Sequence, residues 1–397
     1  MDLTTEALKM HKENGGKLEI KSKVRVKNQE DLALAYTPGV AYACKEIEAH
    51  PEDVYTYTSK SNMVAVITDG SAVLGLGNIG PYAAIPVMEG KSILMKELAG
   101  VDSIPICLKT QDVEEIIKTC KYLEPTLGAI NLEDISAPRC VEIERRLINE
   151  MDIPVFHDDQ HGTSIIVAAA FLNVSRYTKK KLSDMTVVMS GTGAAGSMIA
   201  KMLKRIGVGK IYAYDITGVI DKKKYESYNF LIKELLDEGT YDTPTNHDNT
   251  LASIMKDANA FIGVSAPNLV TKEMVKSMAK DPIVFAMANP VPEISYTDAK
   301  EAGAYIVGSG RSDYPNQINN VLAFPGLFKG ALAVRAKKIN EEMKLAAAYA
   351  LANIISDDEL SNDYIVPGAF DKRVVPAVSK AVSDAAIKTG VARIKNI

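Results

Sequence analysis

Residues 185–196 have the sequence Met-Thr-Val-Val-Met-Ser-Gly-Thr-Gly-Ala-Ala-Gly, and this stretch decides the fold. Residues 185–190 are an apolar run with β-branched side chains, which predicts a buried strand. Gly191, Gly193 and Gly196 follow, and a helical pattern of apolar residues begins directly after them. A strand, a GxGxxG turn and a helix in this order are typical of dinucleotide-binding domains, in which the amino terminus of the helix faces the pyrophosphate.

An acidic residue at the end of the next predicted strand supports this interpretation. That strand covers residues 210–215 and ends in Asp215, about 20 residues beyond the glycine turn. A carboxylate there accepts hydrogen bonds from the adenine ribose and repels a 2′-phosphate. The sequence therefore predicts NAD as cofactor, bound by Asp215, the three glycines, Ala194 and Ala195. Three lysines follow at residues 222–224. Their positive charges can weaken the repulsion of a 2′-phosphate, so NADP remains an alternative cofactor.

Predicted strands and helices alternate along the rest of the chain. The apolar runs that predict further strands are 63–68, 103–108, 128–131, 260–264, 283–286 and 304–307, with a helix over 112–122. Such alternation indicates an α/β fold with parallel, doubly wound sheets. We expect an amino-terminal α/β domain over residues 1–162 and a Rossmann-type domain over 163–397. The carboxyl-terminal helices, from about residue 327, can pack on either half.

The composition excludes several functional classes. The chain has 397 residues, with 46 Lys and Arg against 50 Asp and Glu, which gives a net charge of −4. It therefore lacks the excess of positive charge that is typical of proteins that bind nucleic acid or an anionic membrane. The most apolar stretch, residues 165–172, is too short to span a bilayer. The amino terminus lacks a signal peptide, and the 4 cysteines form no CxxC pair. We therefore expect a cytoplasmic protein without disulfides or membrane contact.

Acidic pairs follow two predicted strands of the first half. Glu133-Asp134 comes after residues 129–131, and Asp158-Asp159 comes after residues 155–156. Open α/β sheets bind ligands at the carboxyl ends of their strands, and carboxylates there suit Mg²⁺ or Mn²⁺ better than zinc. An acidic pair considered by itself more often lies in a solvated loop or caps a helix than binds a metal. The flanking His157 and His161 are expected to form hydrogen bonds instead of binding metal.

Eight stretches resemble those of malic enzymes of the small, single-module type, and they occur in the family's order along most of the chain. They are AYTPGVA (35–41), TDGSAVLGLGNIGP (68–81), PVMEGKS (86–92), NLEDI (131–135), FHDDQHGT (156–163), SGTGAAG (190–196), ANPVPEI (288–294) and NNVLAFPG (319–326). The resemblance implies oxidative decarboxylation of L-malate to pyruvate and CO₂ by a homodimer, with NAD(P) and a divalent metal as cofactors.

The resemblance also assigns roles residue by residue. The metal ligands of the family match Glu133, Asp134 and Asp159. Lys91 matches the general base, Asp158 the acid that supports this lysine, and Tyr36 the general acid. Asn289 and Asn320 match the amides that hold malate, and Asn289 also lies near the nicotinamide in the family. Considered alone, these residues would be an ordinary surface lysine, a packed aromatic and turn-forming asparagines.

One departure from the family pattern concerns substrate binding. Larger members carry a malate-binding arginine in the loop where this chain has Ser71 and Ala72. Arg311 and Lys96 are the candidates to replace it.

Three other activities remain open at this point. The first is a malate dehydrogenase that stops at oxaloacetate, which would not need the acidic cluster. The second is a nucleotide sensor without catalysis, and the third is oxaloacetate decarboxylation as a side activity.

Overall fold

A computed structural model describes residues 2–73 and 75–395 and contains two separate sheets. The first sheet consists of β1 (Met63–Thr68), β2 (Asp102–Cys107), β3 (Ala129–Leu132) and β4 (Val155–His157). Its strands are parallel and lie in the order β2-β1-β3-β4. Because β3 is adjacent to both β1 and β4, the loops that follow these three strands meet at one edge of the sheet.

The second sheet contains the glycine turn. Its strands are β5 (Thr186–Ser190), β6 (Lys210–Asp215), β7 (Gly218–Val219), β8 (Ala260–Gly263), β9 (Ile283–Ala286) and β10 (Ile306–Ser309), in the order β10-β9-β8-β5-β6-β7. All pairs are parallel except β6 with β7. The α/β fold and the Rossmann-type sheet predicted from the sequence are confirmed. The predicted strands are correct within two residues, and the short β7 was not predicted.

The helices cover both sheets. In the first half they are α1 (Leu3–Asn14), α2 (Gln29–Ala35), α3 (Val40–Ala49), α4 (Val54–Tyr57), α5 (Gly80–Ala99), α6 (Val113–Leu123) and α7 (Arg139–Glu150). The next are α8 (Asp158–Thr178), α9 (Ala194–Arg205), α10 (Phe230–Asp237), α11 (Leu251–Met255), α12 (Lys272–Lys276) and α13 (Tyr296–Glu301). The last are α14 (Phe324–Ala333), α15 (Glu341–Ala352) and α16 (Val374–Lys388). No helix among the described residues is long and apolar enough to cross a membrane.

The carboxyl-terminal helices pack back on the first half of the chain. Phe328 of α14 meets Phe156 of β4 edge-to-face, with ring centroids 5.8 Å apart. The side chain of Leu332 lies against Gly128, directly before β3. α15 packs on α8, and one hydrophobic core contains residues of both sheets. The predicted boundary between residues 162 and 163 falls within α8, so this helix belongs structurally to both halves.

We predict that Phe328→Ala destabilises the protein. The ring is fully buried, and removing such a side chain from a packed core costs about 3–5 kcal/mol of unfolding free energy. Urea denaturation followed by circular dichroism measures the change. Phe370→Ala is the matched control, because that ring is 83% exposed. Equal stability of the two variants would contradict the packing of α14 on the first sheet.

Candidate active site

Three carboxylates meet at the carboxyl edge of the first sheet. Glu133 and Asp134 follow β3 directly, and Asp159 lies in the first turn of α8, just after β4. One oxygen from each carboxylate lies within 4.8 Å of the other two. The sequence prediction that these acidic groups come together is therefore correct, and the reason is the adjacency of β3 and β4 in the sheet.

Backbone geometry and hydrogen bonds hold the three carboxylates. Asp134 has φ 53°, which turns the chain sharply after the strand, and its backbone N–H donates to Asp159 Oδ2 at 2.8 Å. The side-chain amide of Asn131, on β3, donates to Glu133 Oε2 at 2.8 Å. These contacts hold the three carboxylates in place relative to one another.

The electrostatics of the cluster favour a cation. Burial raises the pKa of Glu133, and the negative charge of Asp159 raises it further, against the attraction of Lys91. Burial and the neighbouring Asp158 raise the pKa of Asp159 in the same way. A divalent cation would compensate these crowded charges. The donors are all carboxylate oxygens, and both Mg²⁺ and Mn²⁺ prefer such donors, so the residues present fit the implied metal.

Lys91 projects from α5 into this cluster. Its Nζ lies 2.6 Å from Asp158 Oδ2 and 3.0 Å from Glu133 Oε1. The ring of Phe324, at the start of α14, lies under the ammonium group with its centroid 4.4 Å away. The carboxyl-terminal helices thus form one wall of the site, and the buried lysine is not the surface residue that its sequence context alone suggests.

The charge states of Lys91 and Asp158 depend on one another. Burial would lower the pKa of Lys91, but the ion pairs with Asp158 and Glu133 outweigh it and raise that pKa. Burial raises the pKa of Asp158 to about 7, against the attraction of Lys91 and with a further contribution from Glu133. The two groups share a short hydrogen bond along which a proton can move.

Gly162 lets Asp158 and Asn320 approach each other. A Cβ atom on Gly162 would lie 2.1 Å from Asp158 Oδ1 and 2.8 Å from Asn320 Cβ. Asn320 begins the short 3₁₀ turn Asn320–Leu322 that precedes α14. The structure therefore brings Asn320, predicted from the sequence to hold malate, next to the Lys91–Asp158 pair.

The two histidines differ from each other. His161 Nε2 lies 2.8 Å from Glu144 Oε2, as expected for a hydrogen-bonded histidine. Among the described residues the ring of His157 has no hydrogen-bond partner, so that part of the expectation is wrong, and burial lowers the pKa of His157 to about 4. Its backbone N–H instead donates to Glu144 Oε1 at 2.7 Å. Glu144 was not predicted as part of this network. Its position among the buried apolar residues of α7 could have indicated an acid with a buried partner.

The nucleotide half has the predicted turn geometry. Gly191 has φ 103°, and a Cβ atom on Gly196 would lie 1.9 Å from Gly191 O, so positions 191 and 196 require glycine. Gly193 directly precedes α9, whose first residues are Ala194 and Ala195. The free backbone N–H groups at this helix start suit a pyrophosphate.

Asp215 ends β6 beside this turn. Its Oδ2 accepts a hydrogen bond from Thr192 Oγ1 at 2.9 Å, and its Oδ1 accepts one from the N–H of Thr217 at 2.7 Å. Of the three nearby lysines, Lys224 donates to Thr217 O at 3.4 Å and to Asn249 Oδ1 at 2.6 Å. Lys224 therefore contacts the backbone two residues beyond the carboxylate expected to select the cofactor.

Asn289 lies where the two halves of the chain meet. It follows β9, and a Cβ atom on Gly310 would lie 2.8 Å from its Nδ2. Gly75, in a loop of the first half, approaches the same turn, because a Cβ there would lie 3.3 Å from Asn289 O and 3.1 Å from Pro290 Cδ. The backbone of the residue predicted to contact both malate and nicotinamide thus lies against the loop that lacks the family arginine, while its side-chain amide lies at Gly310.

Tyr36 is not connected to the cluster within the described residues. It directly follows α2, and its side chain is 66% exposed. The segment that contains it, α1 to α3, has no buried residue.

The two candidates for the missing arginine differ in position. Lys96 pairs with Asp102 at the beginning of β2, at the sheet edge opposite the acidic cluster, so it does not reach the site. Arg311 follows β10 and pairs with Asp313. Sequence reasoning did not find Arg139, which donates to Ser71 Oγ at 2.9 Å and pairs with Asp69 at 3.0 Å. An arginine from α7 therefore supports the loop that lacks one of its own.

Comparison with known proteins agrees with this geometry. Residues 15–148 match the family model for the malic enzyme N-terminal domain, and residues 160–390 match that for the malic enzyme NAD-binding domain. The bifunctional malic/malolactic enzyme of Bacillus subtilis is 57% identical over 99% of this chain and 95% of its own length. The NAD-dependent malic enzyme of Geobacillus stearothermophilus is 53% identical over 96% of this chain and 79% of its own.

An NADP-dependent relative and a solved structure extend the comparison. The NADP-dependent malic enzyme of Escherichia coli is 46% identical over 95% of this chain and 51% of its own length. The crystal structure of the NAD-dependent malic enzyme from Thermotoga maritima superposes with a TM-score of 0.90 at 47% identity, covering 95% of this chain and 98% of that one. On these matches and this site, the chain belongs to the malic enzyme family.

Proposed function

We propose that the protein oxidises L-malate to pyruvate and CO₂, reduces NAD in preference to NADP, and requires Mg²⁺ or Mn²⁺. The observation that carries this proposal is the set of three carboxylates within 4.8 Å of one another, with the buried Lys91–Asp158 pair beside them. A dehydrogenase that stops at oxaloacetate would not need this cluster. A nucleotide sensor would need neither the cluster nor the buried lysine.

The chemistry divides between the cation and the side chains. Glu133, Asp134 and Asp159 would hold a divalent cation, which would supply positive charge to polarise the malate hydroxyl and to stabilise the negative charge formed on decarboxylation. Lys91 takes the hydroxyl proton while the hydride leaves C2 for the nicotinamide, and Asp158 accepts a proton from Lys91 to free its amine. The products of this step are oxaloacetate and the reduced nicotinamide.

The second half of the reaction needs a proton donor. Loss of CO₂ from oxaloacetate leaves enolpyruvate. On the family resemblance alone, we propose that the hydroxyl of Tyr36, which is exposed and separate from the cluster in this chain, protonates its C3 atom. Asn289 and Asn320 orient the substrate through their side-chain amides. Water must be kept from the site during this step, which burial of the cluster favours.

We further propose a homodimer in the cytoplasm. Large apolar side chains of the amino-terminal segment are exposed, among them Leu3 (83%), Ile20 (97%), Leu34 (73%) and Tyr42 (70%). Exposure on this scale is typical of a surface that another chain covers. All four cysteines are free thiols, which agrees with a reducing compartment.

The absorbance of the reduced nicotinamide tests the central proposal. Purified protein is mixed with malate and NAD or NADP, with and without Mn²⁺, and pyruvate and oxaloacetate are quantified. We expect metal-dependent reduction with pyruvate as product. Oxaloacetate as the sole product would favour the dehydrogenase alternative, and nucleotide binding without turnover would favour the sensor. Added oxaloacetate shows whether the decarboxylase side activity exists.

A second activity, conversion of malate to lactate and CO₂, has support from the Bacillus subtilis relative, whose name includes malolactic enzyme. The acidic neighbours of Lys91 favour its protonated form. The ammonium can return a proton to the carbonyl oxygen of pyruvate while the reduced nicotinamide returns hydride to C2. The same product assay tests this, since lactate in molar excess over the supplied NAD requires that cycle.

Replacing Lys91 tests its role as base. We expect Lys91→Ala to lower kcat for malate by about 10²- to 10⁴-fold, the usual contribution of a general base, with NAD affinity unchanged because the glycine turn is intact. Steady-state kinetics and NADH fluorescence titration measure the two quantities. Lys118→Ala, on the exposed face of α6, is the control. Most of the turnover remaining in Lys91→Ala would remove this residue from the mechanism.

Removing one carboxylate tests the metal site. Asp159→Ala should weaken Mn²⁺ binding by more than the roughly 10- to 100-fold that loss of a supporting partner causes. Electron paramagnetic resonance of free Mn²⁺ measures the affinity without any turnover. Asp184→Ala is the matched control. This aspartate is exposed and lies before β5, at the amino-terminal edge of the second sheet, whereas the acidic cluster lies at the carboxyl edge of the first sheet. Unchanged affinity in Asp159→Ala would overturn the ligand assignment.

The cofactor preference can be tested at Asp215. Asp215→Ser removes the charge that opposes a 2′-phosphate while Lys224 remains nearby, so the ratio of kcat/KM for NADP to that for NAD should rise about tenfold or more, which corresponds to about 1.4 kcal/mol of relieved repulsion. Asp184→Ser should leave this ratio unchanged. An identical ratio in parent and Asp215→Ser would show that another residue selects the cofactor.

A further inference from the structure

Another buried carboxylate, that of Glu293, lies outside the acidic cluster. Glu293 belongs to the stretch ANPVPEI that follows β9, and it has no exposed surface. It forms no ion pair with Lys, Arg or His among the described residues. A buried acid without a cationic partner needs other donors, and the mechanism described above does not use this residue.

Hydrogen-bond donors from two loops converge on Glu293. Its Oε1 accepts the backbone N–H of Ser265 at 2.8 Å and the hydroxyl of Ser265 at 3.3 Å. Its Oε2 accepts the backbone N–H of Ala288 at 3.1 Å. Burial raises the pKa of Glu293, while these donors stabilise the ionised form. Both oxygens act only as acceptors, so a carboxylate suits this position and an amide does not.

Space for the carboxylate comes from Gly263, the last residue of β8. A Cβ atom on this residue would lie 2.3 Å from Glu293 Cδ and 2.5 Å and 2.7 Å from its two oxygens. No side chain larger than hydrogen fits between β8 and the carboxylate. The glycine and the glutamate therefore form one packing unit at the carboxyl edge of the second sheet.

The hydrogen bonds extend from this unit to the dinucleotide turn. Ser265 Oγ lies 2.9 Å from Ser190 Oγ, and Ser190 is the last residue before Gly191. Through Ser265 and Ala288, the carboxylate connects the ends of β5, β8 and β9. Ligands bind along this edge in doubly wound sheets.

The loop held by Glu293 also contains Asn289. Ala288, whose N–H binds the carboxylate, precedes Asn289 directly, and the Asn289 turn packs against Gly75 and Gly310. A change in the backbone at Ala288 would therefore shift the amide of Asn289 relative to the first half of the chain.

We propose that Glu293 is a positioning residue for malate oxidation. Its carboxylate fixes the turns at Ser265 and Ala288, so that Asn289 and the nicotinamide ring meet malate in the reactive geometry. This inference rests on the proposed function and concerns the alignment of the reactants, not the affinity for the nucleotide.

The test compares Glu293→Gln with the parent enzyme. One oxygen becomes an NH₂ group that faces an N–H donor, which releases one of the two turns. A displacement of about 1 Å near a reacting centre lowers turnover about 100-fold, so we expect a loss of this size in kcat for malate. NADH affinity, measured by fluorescence titration without malate, should stay close to that of the parent, because Gly191, Gly196 and Asp215 are untouched.

Two further variants make the test specific. Gly263→Ala, whose methyl group displaces the carboxylate, should reproduce the kinetic defect while Glu293 is still present. Glu273→Gln on the exposed surface of α12 removes one charge from the same domain and should behave like the parent.

Malate turnover by the parent protein is measured first. If the parent shows no turnover, the proposed function fails; if the parent is active, the variants test the role of Glu293 alone. Turnover in Glu293→Gln within a factor of about ten of the parent overturns the inference. Loss of NADH binding, or unfolding at the assay temperature, also overturns it, since Glu293 would then support the fold and not the alignment.

Discussion

The ion pair between Lys91 and Asp158 is the interaction on which the rest of the site depends. Lys91 Nζ lies 2.6 Å from Asp158 Oδ2. Because both side chains are buried, water contributes little to stabilising either charge. Three further carboxylates lie around the same lysine or beside it. One ammonium group cannot balance so many acids at close range. This excess of negative charge is the physical basis for the divalent cation and the proton-transferring lysine that we propose.

The α8 helix links the acidic cluster to the second sheet. Its first turn carries Asp158 and Asp159, and the rest of its length lies in the core shared by both sheets. α15 packs on α8, and α14 brings Phe324 to Lys91. This edge of the first sheet is therefore built from distant parts of the chain. A displacement of the carboxyl-terminal helices would therefore move Phe324 relative to the ammonium group of Lys91.

Local patterns in the sequence were sufficient for the fold and for part of the site. The glycine turn, Asp215 and the acidic pairs after β3 and β4 lie where strand periodicity and the geometry of parallel sheets require. Contacts between distant segments could not be derived in this way. Arg139 reaches the 69–71 loop, and Glu144 meets His161, only because the helices pack as they do. Family resemblance supplied roles for Lys91 and Tyr36 that no local pattern contains.

Glu133 and Glu293 show why burial alone does not define a role. Both are almost inaccessible, and burial raises the pKa of each. Glu133 lies among other carboxylates, with one ammonium group 3.0 Å from its Oε1, so the uncompensated negative charge around it favours a cation. Glu293 lies among backbone N–H groups and a hydroxyl that occupy both of its oxygens. The first arrangement can bind and react, whereas the second holds the backbone in place. The donors around a buried acid, and not its accessibility, therefore determine whether it acts on the substrate or on the protein itself.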